Sequence, residues 1–319
     1  MTAELNVALF TDGRPGHEKQ TRSILAALES TTPLNIVTRR LLPSHGVNRL
    51  IAGLAEFLPG RKSSVFFSGM RIDLIIGTGT TTHLPMVALK RRSKAKLVTC
   101  MSPDPLLLPC FDLCLVPRHD DPPARQNIFT TFGPPCMQIR GAHHEARKGL
   151  ILAGGIDPKS HHWDTSIFMR QIQDLDAKSL DMSWTISSSP RTPADTITRL
   201  RLFAGQKQNV AFFSADETPA GWIESAYKVH AQVWVTADSV SMVYEALTAG
   251  CRVGILPVRW KHHRNKFQQG IDDLIANGLV LDFQDWKKGS PWPEIPQPLN
   301  EAGRCASEIL RRWWPERLV

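Results

Sequence analysis

Ala231-Gln-Val-Trp-Val-Thr-Ala-Asp-Ser-Val-Ser-Met-Val-Tyr-Glu-Ala-Leu-Thr-Ala-Gly250 reads as a strand, a short turn and a helix. Residues 232–235 are β-prone and apolar, as a buried parallel strand requires. Thr236, Ala237, Asp238 and Ser239 are all short, and Asp238 or Ser239 can cap the helix that follows. Val240, Val243 and Leu247 share one helical face, while Ser241 and Glu245 share another. Gly250 stops the helix, and residues 252–257 read as the next strand. A helix that starts at the carboxyl end of a parallel strand turns unbonded N–H groups and its positive dipole end toward a crevice. Small residues there let a phosphate come close. Glu245 lies less than two turns into the helix, within reach of ribose hydroxyls. The same residues also suit an ordinary capped turn of an α/β domain.

The alternation of strand and helix continues on both sides of this unit. Downstream of the 252–257 strand comes Arg259-Trp-Lys-His-His-Arg-Asn-Lys-Phe-Gln268, a basic and aromatic run at a strand end. Arg259 and Lys261 in it can neutralise a diphosphate or touch a lipid headgroup. Upstream, residues 149–153 form an apolar strand that ends in Gly154-Gly155, and the 183–187 strand runs into Ser188-Ser-Pro-Arg-Thr-Pro193. Hydroxyls such as that of Ser188, together with Arg191, can hold a phosphate; a plain Ser/Pro turn is the other reading.

The first half repeats the pattern. A strand over 6–11 enters Asp12-Gly-Arg-Pro-Gly-His17, followed by a helix with Ile24, Leu25 and Leu28 on its apolar face. Gly13 and Gly16 permit positive φ or a close backbone approach, but the loop is neither G-x-G-x-x-G nor a P-loop. His17 is a candidate general base, since imidazole titrates near working pH. A second polar loop, Gly77-Thr-Gly-Thr80, follows a buried strand over 72–76, and Leu84 and Pro85 mark the helix after it. Residues 47–64, with Leu50, Ile51, Leu54 and Phe57 at helical spacing before Arg61-Lys62, read as a loose helix that is either core or an apolar surface near a membrane. Arg118-His-Asp-Asp121 reads as a rigid surface turn rather than a metal site because two prolines follow. Residues 140–148, polar and without periodicity, read as a linker.

Bulk properties bound the function. At 319 residues the chain exceeds one core of about 150 residues and suits two. It is 42% hydrophobic and 21% charged, as soluble globular proteins are. A net charge of +8 favours acidic partners such as nucleotides, phosphates or anionic lipid. The basic residues are dispersed and form no nucleic-acid motif, so nucleic acid is not an expected partner. Six cysteines lack C-x-x-C spacing, which points away from zinc and disulfides and fits a reducing cytosol. No stretch approaches the roughly 20 apolar residues of a membrane span, and no signal peptide is evident.

Taken together, Asp12-Gly-Arg-Pro-Gly-His17, Gly77-Thr-Gly-Thr80, Ser187-Ser-Ser-Pro-Arg-Thr-Pro193 and Thr236-Ala-Asp-Ser-Val-Ser-Met242 with Glu245 resemble the mitochondrial fission ELM1 family over nearly the whole chain. The resemblance implies a GT-B architecture: α/β, with two Rossmann-like doubly wound domains facing a cleft. It places an acceptor-side domain over 1–145, a nucleotide-sugar domain over 146–298, and a C-terminal helix over 299–319. That helix, ending Arg311-Arg-Trp-Trp314, either packs back on the first domain or rests at a membrane interface. The implied activity is transfer from a nucleoside-diphosphate sugar to an envelope carbohydrate or lipid, with no cofactor or metal required, on the cytoplasmic side and in peripheral contact with the inner membrane face. Gly155, Ser188, Arg191, Thr236, Asp238, Ser239, Ser241, Met242, Glu245, Arg259 and Lys261 would hold the donor. Gly13, Gly16, Gly77, Thr78, Gly79 and Thr80 would line the acceptor side, with His17 or Asp12 taking the proton. The rival is a non-enzymatic peripheral membrane protein acting in fission through partners. The donor base, the sugar, the acceptor and the oligomeric state stay open.

Overall fold

The structure, a computed structural model, describes residues 3–41, 51, 53–57, 66, 67, 69–262, 265–294 and 297–318. Most of the loose helix expected over 47–64, with Arg61 and Lys62, falls outside the described residues, as do His263 and Arg264. The chain divides into two compact units, Met1–Met137 with Asn300–Val319, and Gln138–Leu299.

The first unit carries a parallel sheet of β1 (Leu5–Thr11), β2 (Leu34–Arg40), β3 (Leu74–Thr78), β4 (Lys96–Cys100), β5 (Leu113–Pro117) and β6 (Ile128–Thr131), in the order β2-β1-β3-β4-β5-β6. The period-2 alternation of a strand decides what each side chain meets. Leu5, Val7 and Leu9 of β1 pack with Ile24, Leu25 and Leu28 of α1 (Pro15–Glu29). Ala8 and Phe10 point to the other face, toward Met86, Val87 and Leu89 of α2 (Thr80–Lys90). Full burial of a Leu or Ile is worth about 1.5–3 kcal/mol, so both faces contribute. The C-terminal helix, α9 (Glu301–Trp313), completes the α1 face through Ile309 and Leu310, with Trp313 and Trp314 half-buried against the same cluster. Buried Glu301 accepts a bond of 2.9 Å from the Phe132 amide, while Arg311 and Arg312 both pair with Glu308 at 2.7 and 2.6 Å.

The second unit repeats the design with β7 (Glu145–Leu152), β9 (Ser183–Ser187), β10 (Val210–Phe213), β11 (His230–Thr236), β12 (Arg252–Leu256) and β14 (Leu281–Asp282), ordered β10-β9-β7-β11-β12-β14 and again parallel. Around it lie α3 (Thr165–Lys178), α4 (Ala194–Gly205), α5 (Trp222–Val229), α6 (Val240–Thr248), α7 (Lys266–Ala276) and α8 (Phe283–Lys287). A two-stranded antiparallel ribbon pairs β8 (His161–His162) with β13 (Arg259–Trp260). Two tryptophans dictate glycine on neighbouring strands. Trp184 stands in register with Gly149, and Trp234 with Gly254; a Cβ on either glycine would overlap the indole. The linker expected over 140–148 is corrected: β7 already begins at Glu145. Its first residues are exposed, so their polar composition hides a strand.

Both sheets reverse direction once. After β1 the chain builds β2 on one side and then returns to place β3 on the other. After β7 it builds β9 and β10, then returns with β11. Open parallel sheets bind ligands outside the carboxyl ends of the strands at such switch points. These are the ends of β1 and β3 in the first unit, and of β7 and β11 in the second.

Candidate functional site

At the first switch point, β1 ends in Thr11 and hands over to a tight loop. The Thr11 hydroxyl accepts from the Gly13 amide at 3.1 Å and donates to Glu18 Oε1 at 2.6 Å. Asp12 is 4% exposed. Its Oδ1 accepts from the Arg14 amide at 3.1 Å, and its Oδ2 lies 2.9 Å from His17 Nδ1. Gly16 and His17, in the first turn of α1, donate their backbone N–H groups to no acceptor among the described residues. Gly79 caps α2 at φ +98, and the absence of its side chain leaves space for the imidazole. Gly77 serves the same purpose inside the sheet, since a Cβ there would stand 2.7 Å from the Phe10 carbonyl and 2.8 Å from Met86 Sδ. Thr78 shares a 2.6 Å bond with Thr21 of α1, tying the β3 end to the helix. Thr80 opens α2, and Thr82 donates to the Gly79 carbonyl at 2.7 Å.

This is the geometry of an imidazole held by a buried carboxylate. With Nδ1 facing Asp12, the Nε2 edge is the one left to exchange a proton, and it makes no hydrogen bond among the described residues. The imidazole is 17% exposed and the Asp12 carboxylate 4%, so of the two the ring is the group that a ligand can meet. His17 also lines a small pocket between β1 and α1, with Leu9, Phe10, Thr11, Glu18, Thr21, Arg22 and Thr78.

At the second switch point, the ends of β7 and β11 are stitched together. The Thr236 hydroxyl, 1% exposed, accepts from the Gly154 amide at 2.7 Å. Ser189 donates to the Gly154 carbonyl at 2.7 Å, and Thr192 does so as well. Ser188 accepts from the Ala215 amide at 2.9 Å. His161, also buried, bonds the Gly155 carbonyl through Nε2 at 2.8 Å. Thr236 and Ser188 thus use their hydroxyls inside the fold. Gly154 and Gly155 are required by space, since added Cβ atoms would overlap Asp238 and the Arg191 backbone respectively.

The α6 cap differs from expectation. Ser239 holds the N-cap position but makes no side-chain cap bond. Asp238 turns away from the helix: its Oδ2 accepts from the Gly155 amide at 3.2 Å and from Arg191 Nη2 at 2.9 Å. Its side chain is 1% exposed, whereas that of Arg191 is 43% exposed. A buried carboxylate therefore holds a half-exposed guanidinium beside the helix start, where Ser239 Oγ lies 3.4 Å from Nη2. The N–H groups of Val240 and Ser241 donate to nothing among the described residues. Ser241 is exposed, while Met242 and Glu245 are half-buried one turn apart on the same helix. Arg259 and Thr236 line a pocket with His162, Trp163, Phe168 and Gln171. Lys261 Nζ donates to the Pro158 carbonyl at 2.6 Å.

Cysteine chemistry is absent from both places. Burial pushes Cys100 up to about 11 and both Cys114 and Cys251 up to about 12, so none is a thiolate at neutral pH. Among the described residues, no group of three or more His, Cys, Asp or Glu is placed to hold a metal ion, and no helix is long and apolar enough to cross a membrane.

Residues 15–313 match the family described as mitochondrial fission ELM1. The chain belongs to that family. Known structures place the ELM1 chain among GT-B-like proteins. The UDP-GlcNAc 2-epimerase of Methanocaldococcus jannaschii superposes with a TM-score of 0.61 at 12% identity, covering 97% of this chain and 99% of that one. The same enzyme in complex with UDP-GlcNAc and UDP gives 0.51 at 11%, covering 97% and 99%. A glycosyltransferase from Rickettsia africae gives 0.54 at 7%, covering 99% of both chains. At these identities the likeness is one of fold. No curated protein sequence matches the chain.

The motif reading of this ELM1 member reached both loops, with Gly154 and the hydroxyls of Ser189 and Thr192 in the second, but did not single out His161 or Arg22. Gly154, Ser189, Thr192 and His161 shape the second loop. Arg22 and Arg40 flank the first, and only the register of β1 with β2 brings Arg40 there.

Proposed function

We propose that this ELM1-family chain is a glycosyltransferase that moves a sugar from a nucleoside diphosphate to an acceptor hydroxyl. The observation that carries the reading is the His17–Asp12 pair: an imidazole with one edge held at 2.9 Å by a buried carboxylate and the other unengaged. His17 Nε2 takes the acceptor's proton as its oxygen attacks the anomeric carbon. Asp12, accepting from Nδ1–H, sets the tautomer and stabilises the imidazolium that forms. The bond from the anomeric carbon to the diphosphate oxygen breaks as the new bond forms.

The leaving diphosphate belongs, in this reading, to the second unit. The first-turn N–H groups of α6, the Ser241 hydroxyl and Arg191 supply its donors. Arg259 and Lys261 are the further cations for it, Lys261 with one N–H already donated to the Pro158 carbonyl. Glu245 receives the ribose hydroxyls. Thr236, Ser188 and Gly155 act by shaping the loop. The UDP-GlcNAc and UDP bound by the M. jannaschii epimerase support a nucleotide sugar as the ligand class. No step of this mechanism calls on a metal.

The test is a thermal-shift panel of UDP-, GDP-, CMP- and ADP-sugars on the full chain. At least one should raise the melting temperature, and the shift should be lost in Arg191→Ala. No shift from any of them, with liposome binding that disappears when residues 311–319 are removed, would put the non-enzymatic membrane reading in its place. Against that rival stands the tail itself, because Trp313 and Trp314 pack on the first unit's core and Arg311 and Arg312 pair with Glu308.

A further inference from the structure

The geometry points to an acceptor that carries a phosphate group close to its reacting hydroxyl. This rests on the reading that His17 receives the acceptor's proton, and it concerns the first unit alone.

Arg40 is the last residue of β2 and stands in register with Thr11, so it leaves the sheet at the same edge as the Asp12–His17 loop. Its guanidinium folds across that loop: a Cβ on Gly13 would lie 2.8 Å from Nη2 and 3.1 Å from Nε. Arg22, less than two turns along α1 from His17, lines the pocket that His17 lines. Arg14 reaches Asp12 only at 3.8 Å and is 60% exposed, and that carboxylate is already engaged by His17.

Two of these arginines, Arg22 and Arg40, lack counter-charge. The next residue in β2, Arg39, is paired with Glu56 at 2.6 Å. Arg22 and Arg40 have no carboxylate within ion-pair distance among the described residues. Glu18, the nearest acid along α1, instead accepts the Thr11 hydroxyl at 2.6 Å. At this edge, then, the Arg40 guanidinium crosses the loop that carries His17, Arg14 stands exposed beside Asp12, and the N–H groups of Gly16 and His17 are unbonded among the described residues at a helix start. Guanidinium forks match the tetrahedral oxygens of phosphate, and helix N-termini favour the same charge. A neutral acceptor could accept hydrogen bonds from these groups but would leave the charge of Arg22 and Arg40 uncompensated.

The probes are sn-glycerol 3-phosphate, which offers a hydroxyl beside a phosphate, and glycerol as its neutral control. They are titrated at constant ionic strength into the full chain, following the His17 imidazole resonance, assigned by its loss in His17→Gln. Glycerol 3-phosphate should shift it saturably and glycerol should not. Arg40→Ala should weaken the response about tenfold, the scale of one charged hydrogen bond, and Arg40→Lys should restore part of it. Arg40 is exposed, so both substitutions leave the fold intact, and an unchanged melting temperature checks this. Phosphatidylcholine vesicles with and without phosphatidic acid separate the two sources of phosphate: Arg40-dependent sedimentation with the acidic vesicles assigns a lipid headgroup, and its absence beside a saturable response to glycerol 3-phosphate assigns a soluble phosphate ester.

An equal response to glycerol, no saturable response, or indifference to Arg40→Ala overturns the inference. The nucleotide-sugar panel on the same samples keeps the two readings apart. Response to a nucleotide sugar without response to glycerol 3-phosphate removes only the phosphate-bearing acceptor. The reverse pattern removes the transferase and leaves a phosphate site.

Discussion

Gly79 lies against His17 so closely that a methyl group on its α-carbon would collide with Nδ1, and would stand 2.7 Å from Asp12 Oδ2. The glycine at the start of α2 thus leaves the room in which the imidazole and its carboxylate meet. Its φ of +98 is also strained for any other residue. Gly79→Ala should push the ring out of line with Asp12 and lower kcat by about 10²-fold, the scale of a misplaced catalytic group. His17→Ala should cost about 10²–10⁴-fold, the range of a general base. Steady-state kinetics with any nucleotide sugar that proves to be a donor would check both, and unchanged kcat in Gly79→Ala would refute the packing argument.

Arg191 and Asp238 should not behave independently. Arg191→Ala strands a buried carboxylate at the start of a helix and, under the proposed function, removes a phosphate donor there. We expect nucleotide affinity to fall by about ten- to a hundredfold, as for loss of one or two charged hydrogen bonds. Asp238→Asn keeps the shape but weakens the hold on the Gly155 amide and the guanidinium. A double-mutant cycle by titration calorimetry should give a coupling energy well away from zero; strict additivity would show that Asp238 does not position Arg191.

Glu245 is tested by comparing ligands. Glu245→Ala should weaken a nucleoside diphosphate by about tenfold and leave pyrophosphate binding unchanged, because only the former has a ribose. Equal losses for both would reassign Glu245 to the fold.

One pH dependence follows from His230. Its Nδ1 lies 2.7 Å from the Ala226 carbonyl and its Nε2 3.1 Å from the Thr185 hydroxyl, an arrangement that suits the neutral ring. Burial holds its pKa below the usual value, opposed by the Ala226 carbonyl; nearby Lys148 and His144 depress it further, and Glu145 raises it. The unfolded chain then binds the proton more readily than the folded one. Stability is complete above about pH 6.5 and falls as acid takes the solution down through the folded pKa. Melting curves of the wild type and His230→Gln should diverge over that window. A second loss at lower pH belongs to Glu308, whose pKa is lowered by its bonds to Arg311 and Arg312.

Gly254→Ala and Gly149→Ala should each destabilise the second unit by about 1–3 kcal/mol, the cost of overpacking, since each new methyl overlaps an in-register tryptophan. Thermal denaturation reads this directly. Shortening the ring with Trp234→Leu in the Gly254→Ala background should recover part of the loss.

Local chemistry was enough to read the alternation of strands and helices, the two families of glycine- and hydroxyl-bearing loops, and the start of α6. Strand periodicity, helix faces and small residues at strand ends are properties of neighbouring residues, and the 231–250 stretch displays all three. The ELM1 resemblance rested on the same short motifs. Three things were decided only by the tertiary structure. Thr236 was read as a ligand hydroxyl, yet its partner is an amide 82 positions away. Asp238 was read as a cap, yet the guanidinium of Arg191 draws it off the helix. Arg40 reads in the sequence only as half of a basic pair at a strand end, because its place over Gly13 depends on the register of two strands. A sequence states which groups a residue carries; which of them are already engaged is set by burial and by partners distant along the chain, and that is what separates a binding hydroxyl from a structural one.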